Sequence, residues 1–365
     1  MKKILKISLA LALSLSLFAC KKKQYNDKDK TTTTSKVKTK TGSKTNQTVT
    51  TSSNPSGSDK YERNGNIIYF GAYPQTLESD SSKISAIEGK ITAFDGPANA
   101  ASKGWTKQID YASNSTREAY YYRDIDLDED GTNDYRAIHI YKYKNYNTSQ
   151  PYDASSTWYH QDMATYQEGN TYYFKYEKIK WDILEEKDGK AYLFADLALD
   201  AYYYEKCTDN KEDKYSHGGK SGYANNYELS SIRKWLNEDF YNLAFTDLQK
   251  QIINQTTIKN GLSSVTDETN DFVCSNTNDY VTLLSEKEAV TYFPTDASRV
   301  YTKSILTDYA TIQDADYQQV LLRSPAKNYA YNIKIINNQV GKGDISYSSA
   351  NYALYAIRPV IVITL

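Results

Sequence analysis

The sequence contains little of the chemistry that many enzymes use. It has three cysteines and three histidines in 365 residues, and His139, His160 and His217 lack the spacing of metal ligands. No glycine-rich phosphate loop, nucleophile elbow or zinc-hydrolase motif is present. These absences argue against a nucleotide-dependent enzyme, a serine hydrolase and a zinc hydrolase. Carboxylates are abundant, so a glycosidase pair stays open.

An excess of basic charge is also missing from the larger part of the chain. Residues 60–365 carry 32 lysines and arginines against 42 aspartates and glutamates, a formal charge of −10. The field of such a domain opposes contact with phosphates, so nucleic acid is not expected as a partner. The length allows two domains, but no second low-complexity linker interrupts this part. We therefore predict one domain over residues 60–365.

The chain has no apolar run of the length that crosses a membrane comfortably. The run from Ile4 to Phe18 is too short, follows Lys2 and Lys3, and ends before a cysteine. This pattern predicts a lipoprotein signal peptide over residues 1–19 and lipidation of Cys20. Acyl chains would then hold the protein on the outer membrane or cell surface, outside the cytoplasm. The alternative is an ordinary secretory signal with a chance cysteine.

Residues 20–59 are predicted to form a disordered tether. Residues 21–59 hold nine lysines against three aspartates, with many Thr and Ser and almost no large apolar side chains. Such a segment cannot bury enough surface to offset the loss of chain entropy. Its lysines would be attracted to anionic head groups near the membrane, although a merely soluble spacer fits the composition equally well.

The pattern over residues 60–365 predicts an α+β domain. Ile67 to Phe70 resembles a strand that ends before a turn at Gly71 and Pro74, and residues 178–184 and 191–196 form a hairpin across Lys187-Asp188-Gly189. Helices are expected in the middle, around Ile232 to Leu236 and after two capping boxes at residues 246–249 and 285–288. The chain then returns to strands at 331–336 and 357–365. Antiparallel strands at both ends with helices between them favour the α+β class.

Five separated motifs carry a resemblance to a known family. They are Ile68-Tyr69-Phe70-Gly71 with Tyr73-Pro74-Gln75, Ile179-Lys180-Trp181-Asp182-Ile183-Leu184, Asn225-Asn226-Tyr227 through Trp235-Leu236-Asn237, Leu321-Leu322-Arg323-Ser324-Pro325, and Arg358-Pro359-Val360. In this order they are similar to a family of bacterial surface-protein domains of unknown function. Members of that family resemble C-type lectin-like domains and the formylglycine-generating, sulfatase-modifying enzymes.

The resemblance implies a C-type lectin-like fold and no particular reaction. Within it, Trp181 and Trp235 are expected to be apolar anchors, and Arg323 and Arg358 to donate hydrogen bonds to loop carbonyls. The formylglycine-generating enzymes use a cysteine pair late in the domain, whereas nothing after Cys274 is a cysteine here. This departure argues against the oxidase chemistry.

An acidic segment over residues 124–134 is a candidate calcium site. Asp126, Asp128, Asp130, Thr132 and Asp134 match successive positions of a calcium-binding loop, with Gly131 at the turn. The final glutamate of an EF-hand is replaced by Ala137, so the segment is more similar to a calcium loop at the tip of a β-hairpin. A missing ligand could come from Asp124 or from solvent. The alternative is a solvated acidic turn without an ion.

The two remaining cysteines allow a disulfide. In an oxidising exterior, Cys207 and Cys274 can pair, which would stabilise the fold by roughly 4 kcal/mol in the chain-entropy model. Two separate buried thiols are the alternative.

Tyrosine is used 36 times and occurs in clusters at 120–122, 172–173 and 202–204. Adjacent residues in a strand point to opposite faces, so about half of each cluster is expected to leave the core and stand exposed. Exposed tyrosines would supply contact area and hydroxyl groups for a sugar or a protein. The alternative is that strand propensity alone favours tyrosine.

These patterns together predict a surface-anchored lipoprotein with a non-catalytic domain that binds a glycan or a protein, with a structural Ca²⁺. The rival is an exported enzyme, related to the formylglycine-generating oxidases or acting as a carbohydrate-active hydrolase. Carboxylates or thiols that converge in a deep pocket would favour the enzyme. A flat face of tyrosine and asparagine would favour adhesion.

Overall fold

A computed structural model describes residues 60–108, 120–141, 157–159, 165–167, 169–206, 214–217, 219–313, 315–351 and 355–365. The predicted signal peptide, Cys20 and the tether lie outside these residues. No helix in the described part of the chain is long and apolar enough to cross a membrane.

Strands run through the whole of the described chain. They are β1 (Glu62–Asn64), β2 (Ile67–Leu77), β3 (Thr106–Gln108), β4 (Tyr120–Ile125), β5 (Tyr135–Ile140), β6 (Thr157–Tyr159), β7 (Thr165–Gln167), β8 (Thr171–Lys187), β9 (Lys190–Ala195), β10 (Asp200–Tyr202), β11 (Tyr215–His217), β12 (Lys220–Gly222), β13 (Thr256–Ile258), β14 (Thr277–Asp279), β15 (Val281–Thr282), β16 (Asp316–Pro325), β17 (Asn332–Asn337), β18 (Asp344–Ser349), β19 (Tyr355–Ile357) and β20 (Val360–Thr364).

The helices of the described residues are short. The α-helices are α1 (Ser81–Lys90), α2 (Ser231–Trp235), α3 (Tyr241–Ala244), α4 (Asp247–Lys250), α5 (Glu286–Tyr292) and α6 (Asp308–Ile312). A turn of π-helix, Leu236–Phe240, joins α2 to α3, and 3₁₀ turns cover Ala101–Lys103, Tyr227–Leu229, Leu262–Ser264, Asp296–Arg299, Lys303–Ile305 and Gln339–Gly341.

Two sheets organise the domain. A nine-stranded sheet has the path β15-β20-β9-β8-β5-β4-β3, with β2 paired to β8 and β1 paired to β2. The long strand β8 connects this sheet, since it pairs with β5, β2 and β9 along successive parts of its length. A five-stranded sheet has the order β10-β19-β16-β17-β18, in which β16 and β19 run parallel.

The predicted hairpin across residues 187–189 is confirmed. Lys187 pairs with Lys190, and the two turn residues Asp188 and Gly189 have φ angles of 52° and 70°. Positive φ at both central residues is the geometry of a type I′ turn, which matches the twist of the flanking strands and favours the Asp-Gly sequence. The local signal was sufficient here because the turn type decides the register of the two strands.

The predicted end of the first strand before Gly71 is wrong, because β2 continues through Pro74 to Leu77. Its register against β8 shifts between Tyr69 and Ala72, and Gly71 lies in this irregularity with φ of 71°. A glycine can adopt that angle at little steric cost, so the chain forms a bulge instead of a turn. The bulge lets the end of α3 approach the strand closely.

Both predicted capping boxes are confirmed. The Thr246 hydroxyl accepts from the Gln249 amide at the start of α4, and Ser285 does the same with Glu288 at the start of α5. The helix predicted around Ile232 to Leu236 is also present, as α2 and the following π-turn. Capping signals are local, so they mark where a helix begins without fixing how far it extends.

The predicted arrangement of the domain is wrong. The described residues are mostly β, with several antiparallel sheets and few helices, and they do not show a C-type lectin-like layout with helices in the middle. Strands β13 to β15 lie between α4 and α5, and α1 lies near the start of the domain. The helical segments are one to three turns long, so they cover parts of the sheets rather than form a layer of their own.

The expectation that half of each tyrosine cluster stands exposed is also wrong. Side chains do alternate between faces: Tyr120 joins the largest apolar cluster and Tyr121 joins a second cluster with Ile87 and Trp105. Both faces of this part of the sheet are covered, the second by α1 and the segment after it. None of the eight clustered tyrosines is exposed, and Tyr122, Tyr172 and Tyr202 are half-buried.

The structural interpretation of the two arginines is confirmed. Arg358 donates to the carbonyl oxygens of Ala195 and Asp196, each at 2.9 Å. Arg323 is buried and donates to the Leu283 carbonyl and to both carboxylate oxygens of Glu288. Trp181 is fully buried as expected, and its Nε1 donates to the Phe70 carbonyl at 2.8 Å.

Candidate functional site

A cavity of about 620 Å³ lies among the described residues. Strands β2 to β5 of the larger sheet and β10 of the smaller sheet line it, together with residues 235–243 and the end of α6. Its volume is in the range of small-molecule sites, which are usually concave and combine apolar walls with a few polar groups. We therefore take this cavity as the candidate site.

An ion pair between a buried arginine and a half-buried aspartate forms one part of the lining. Asp124 of β4 and Arg136 of β5 face each other in register. Nε and Nη2 of Arg136 each lie 2.7 Å from a different carboxylate oxygen of Asp124, while Nη1 donates to the Tyr309 hydroxyl at 3.2 Å. The Tyr176 hydroxyl also donates to Asp124 at 2.7 Å. Both charges are thus already partnered within the protein.

Asp200 supplies a second carboxylate, and this one is buried. It is 8% exposed at the start of β10 and accepts hydrogen bonds from the Tyr73 hydroxyl at 2.5 Å and from the Ala201 amide at 2.8 Å. Burial raises the pKa of the Asp200 carboxyl to about 6, although both hydrogen bonds favour the ionised form. Asp200 can therefore accept a hydrogen bond from a ligand, and it can hold a proton at mildly acidic pH.

Stacked aromatic rings form another part of the lining. The ring of Tyr202 lies 4.8 Å from that of Trp235 and 4.3 Å from that of Tyr203, nearly parallel to both. Trp235 also contacts Phe240 with 5.6 Å between ring centroids. Aromatic groups fixed in this way offer a rigid apolar surface at small entropy cost.

One buried polar group in the cavity lacks a partner. Gln313 is 7% exposed, and its Oε1 accepts from Gln108 Nε2 at 2.6 Å. Its Nε2 has no hydrogen-bond partner among the residues that the structure describes. Because an unpaired buried amide costs free energy, such a group in a cavity indicates a place for a ligand or a water molecule.

The rim of the cavity is acidic. Glu238 and Asp239 are exposed on the π-turn that follows Trp235. Burial, and then the neighbouring Glu238, raise the pKa of the Asp239 carboxyl. Single turns of π-helix occur frequently at functional sites, and this one brings Trp235, both carboxylates and Phe240 to the same cavity.

Comparison with known proteins identifies the later part of the chain. Residues 189–365 match a family described as "Domain of unknown function (DUF6273)". Residues 189–365 are a DUF6273 domain. No curated protein and no solved structure matches the chain.

The DUF6273 domain supplies only part of the cavity. Asp200, Tyr202, Trp235 and Gln313 belong to it, whereas Tyr73, Asp124 and Arg136 precede it. The family match begins inside the hairpin of β8 and β9, so the larger sheet also combines strands from the DUF6273 domain and from the segment before it. The site depends on both parts.

The acidic loop lies outside this cavity. Carboxylate oxygens of Asp126, Asp128 and Asp130 lie within 4.8 Å of one another, and these residues are half-buried or exposed. The Asp126 carboxylate accepts from the amides of Glu129 and Gly131, and that of Asp134 accepts from the Leu127 amide at 2.7 Å. Asp124, considered above as a further ligand, pairs with Arg136 instead.

Thr132 also takes part in this turn. Its amide and its hydroxyl donate to Asp130 Oδ1 at 2.8 and 2.6 Å. Hydrogen bonds within the loop thus contribute to its shape. The calcium site stays a prediction.

Cys274 and His139 do not line the cavity. Cys274 is half-buried and packs beside the largest apolar cluster, whereas Cys207 lies outside the described residues, so the disulfide stays a prediction. His139 is buried beside Phe94, its Nδ1 lies 2.9 Å from the Thr171 hydroxyl, and burial lowers its pKa to about 4. It has the environment of a structural histidine.

Proposed function

We propose that the protein is a lipid-anchored surface receptor that binds a carbohydrate in the cavity formed by the DUF6273 domain and the segment before it. The observation that carries the proposal is one cavity that combines stacked aromatic rings with a buried carboxylate and an unpartnered amide. Sugars present apolar ring faces and many hydroxyl groups, so they need both kinds of contact. The cavity is a better match for a glycan than for a protein, whose surface would need a broader contact area.

Binding without catalysis is favoured by the state of Asp124. A glycosidase needs two carboxylates that flank the scissile bond, but the Asp124 carboxylate already accepts from Arg136 and Tyr176. This leaves Asp200 as the deep carboxylate that can meet a ligand.

A carbohydrate-active hydrolase is the second candidate, because carboxylates do converge in a cavity and the pKa of Asp200 is raised to about 6. Asp200 would then act as the general acid, with Glu238 or Asp239 on the rim as its partner. Release of reducing sugar from a ligand, abolished in Asp200→Asn, would establish this candidate in place of the receptor.

Replacing Tyr202 by alanine tests the receptor directly. The full-length protein in detergent is applied to a glycan array, and its strongest ligand is titrated by calorimetry. We expect Tyr202→Ala to weaken binding by about tenfold to a hundredfold, since it removes the central ring of the stack. Tyr347→Ala is the matched control, because Tyr347 is an exposed tyrosine on β18 outside the cavity. Equal affinities of the unmodified protein, Tyr202→Ala and Tyr347→Ala would refute the cavity as the binding site.

The proposal places the protein at the cell surface through Cys20. Replacing Cys20 by serine removes the thiol that accepts the lipid, so we expect the variant to be exported but to be released from membranes. Fractionation of cells followed by immunoblotting of the membrane and soluble fractions measures this. A Cys20→Ser variant that stays with the membrane fraction would contradict lipid anchoring.

The proposal also includes a structural Ca²⁺ at the acidic loop. Asp128 is the best residue to replace in this test. Among the described contacts, its carboxylate accepts only one hydrogen bond, from the Asp130 amide at 3.3 Å, so its loss disturbs the loop itself little. We expect Asp128→Ala to lower the Tm in millimolar calcium by a few degrees and to leave it unchanged in chelator. Glu129→Ala, in the same loop, is the control. If Asp128→Ala lowered the Tm equally in calcium and in chelator, the result would argue against a bound ion.

A further inference from the structure

We infer that the cavity selects a carbohydrate that carries a positive charge, namely a sugar with a free amino group. This inference rests on the proposed function and specifies the class of its ligand. It follows from the charges of the described lining residues, from the partners of the buried Arg136 among them, and from the aromatic rings beside them.

The charged residues of the lining are unequal in sign. Asp124, Asp200, Glu238 and Asp239 face Lys107 and Arg136, a formal charge of −2 when all are ionised. A cavity with low-dielectric walls focuses such a field, so it attracts cations and repels anions. A ligand with a carboxylate or a phosphate would need a free cation in the cavity.

Arg136, the buried cation of the lining, does not supply such a free positive charge. All three side-chain nitrogens of Arg136 already donate, two to Asp124 and one to Tyr309. Its guanidinium also lies 4.6 Å from the ring centre of Tyr122. Lys107 is exposed at the edge, where water screens its charge. Among the described residues that line it, the cavity therefore has no strong anion-binding group.

The carboxylates and aromatic rings of the cavity are suited to bind an ammonium group. Asp200 is deep in the cavity and has lone pairs beyond the two hydrogen bonds that it accepts, and an ammonium donor would make a charge-assisted hydrogen bond with it. The ring of Trp235 can add cation–π attraction. Glu238 and Asp239 at the rim would hold a second amine of a longer chain.

A matched set of three trisaccharides tests the inference. Chitosan trimer, N-acetylated chitotriose and cellotriose share one backbone and differ at carbon 2, which carries an ammonium, an acetamide or a hydroxyl group. Each is titrated against the full-length protein in detergent at low and at physiological salt. We expect chitosan trimer to bind about tenfold more tightly than the other two, with a preference that falls as salt is added.

Two charge-neutral variants locate the effect. We expect Asp200→Asn to reduce the preference for chitosan trimer over cellotriose about tenfold, and Asp239→Asn on the rim to reduce it by a smaller factor. Asp239→Asn keeps the test valid if Asp200→Asn fails to fold. Asp247→Asn is the matched control, because Asp247 is an exposed aspartate on α4 outside the cavity.

Failure of the charge selection can be distinguished from failure of the proposed carbohydrate receptor. Equal binding of the three trisaccharides would overturn the charge selection and leave the receptor intact. Unchanged preference in both Asp200→Asn and Asp239→Asn would place the amine elsewhere and also overturn the inference. If no carbohydrate binds, either in the trisaccharide titrations or on the glycan array, both the proposed function and the inference are overturned.

Discussion

Replacing Gly71 by alanine is expected to destabilise the domain by about 3 kcal/mol, because it combines strain in a left-handed backbone with overpacking. The φ angle at Gly71 is 71°, and an added Cβ would lie 2.6 Å from a ring carbon of Phe245 and 2.7 Å from the Ala244 carbonyl oxygen. Backbone cannot move aside as a flexible side chain would. The end of α3 would have to withdraw from β2, and the segment that carries Trp235 would move with it.

Gly65→Ala is the matched control for this prediction. Gly65 also has a left-handed φ angle, 59°, but nothing lies within 4 Å of the Cβ position. We expect it to cost about 1 kcal/mol, which is the conformational penalty alone. Urea denaturation measures both variants, with the m value checked for change. Equal losses would show that the contact between α3 and the bulge does not contribute.

Replacing Arg136 by methionine is the second large change, and we expect it to cost about 3–5 kcal/mol. Arg136 is 7% exposed, and its removal leaves the Asp124 carboxylate in the cavity without its countercharge. The same denaturation experiment measures the loss. The double variant Arg136→Met/Asp124→Asn should recover part of the lost free energy of unfolding, because the uncompensated negative charge is then gone.

An exposed ion pair provides the comparison. Arg63 pairs with Glu186 at the surface, with side chains 38% and 37% exposed. Because water already solvates both groups, Arg63→Met should cost less than about 1 kcal/mol. If Arg136→Met were no more costly than Arg63→Met, the Asp124–Arg136 pair would not be the supporting element that the structure indicates.

Local features of the fold could be predicted from the sequence. The turn at Asp188 and Gly189 and the capping boxes that begin α4 and α5 depend on residues only a few positions apart, so the sequence contains the whole signal. The arrangement of the sheets could not be predicted in this way. Strands such as β2 and β8 are about a hundred residues apart in the chain, and their pairing depends on the topology of the whole domain.

The candidate site was missed for the same reason. Tyr73, Asp124, Asp200, Trp235 and Gln313 come from five separated elements, and only the fold brings them together. One pair had a usable signal: Asp124 and Arg136 are at equal distances on either side of the acidic turn, so a hairpin centred there places them opposite each other. The tyrosine clusters misled the prediction because alternation tells which face a side chain takes, and not whether that face is covered.

A crystal structure of the full-length protein with the strongest ligand from the glycan array would show directly whether the cavity binds carbohydrate. We expect a sugar ring inside the cavity, in contact with Tyr202, with a polar group of the sugar within hydrogen-bond distance of the Asp200 carboxylate. A sugar bound elsewhere on the domain, with the cavity holding only water, would contradict it.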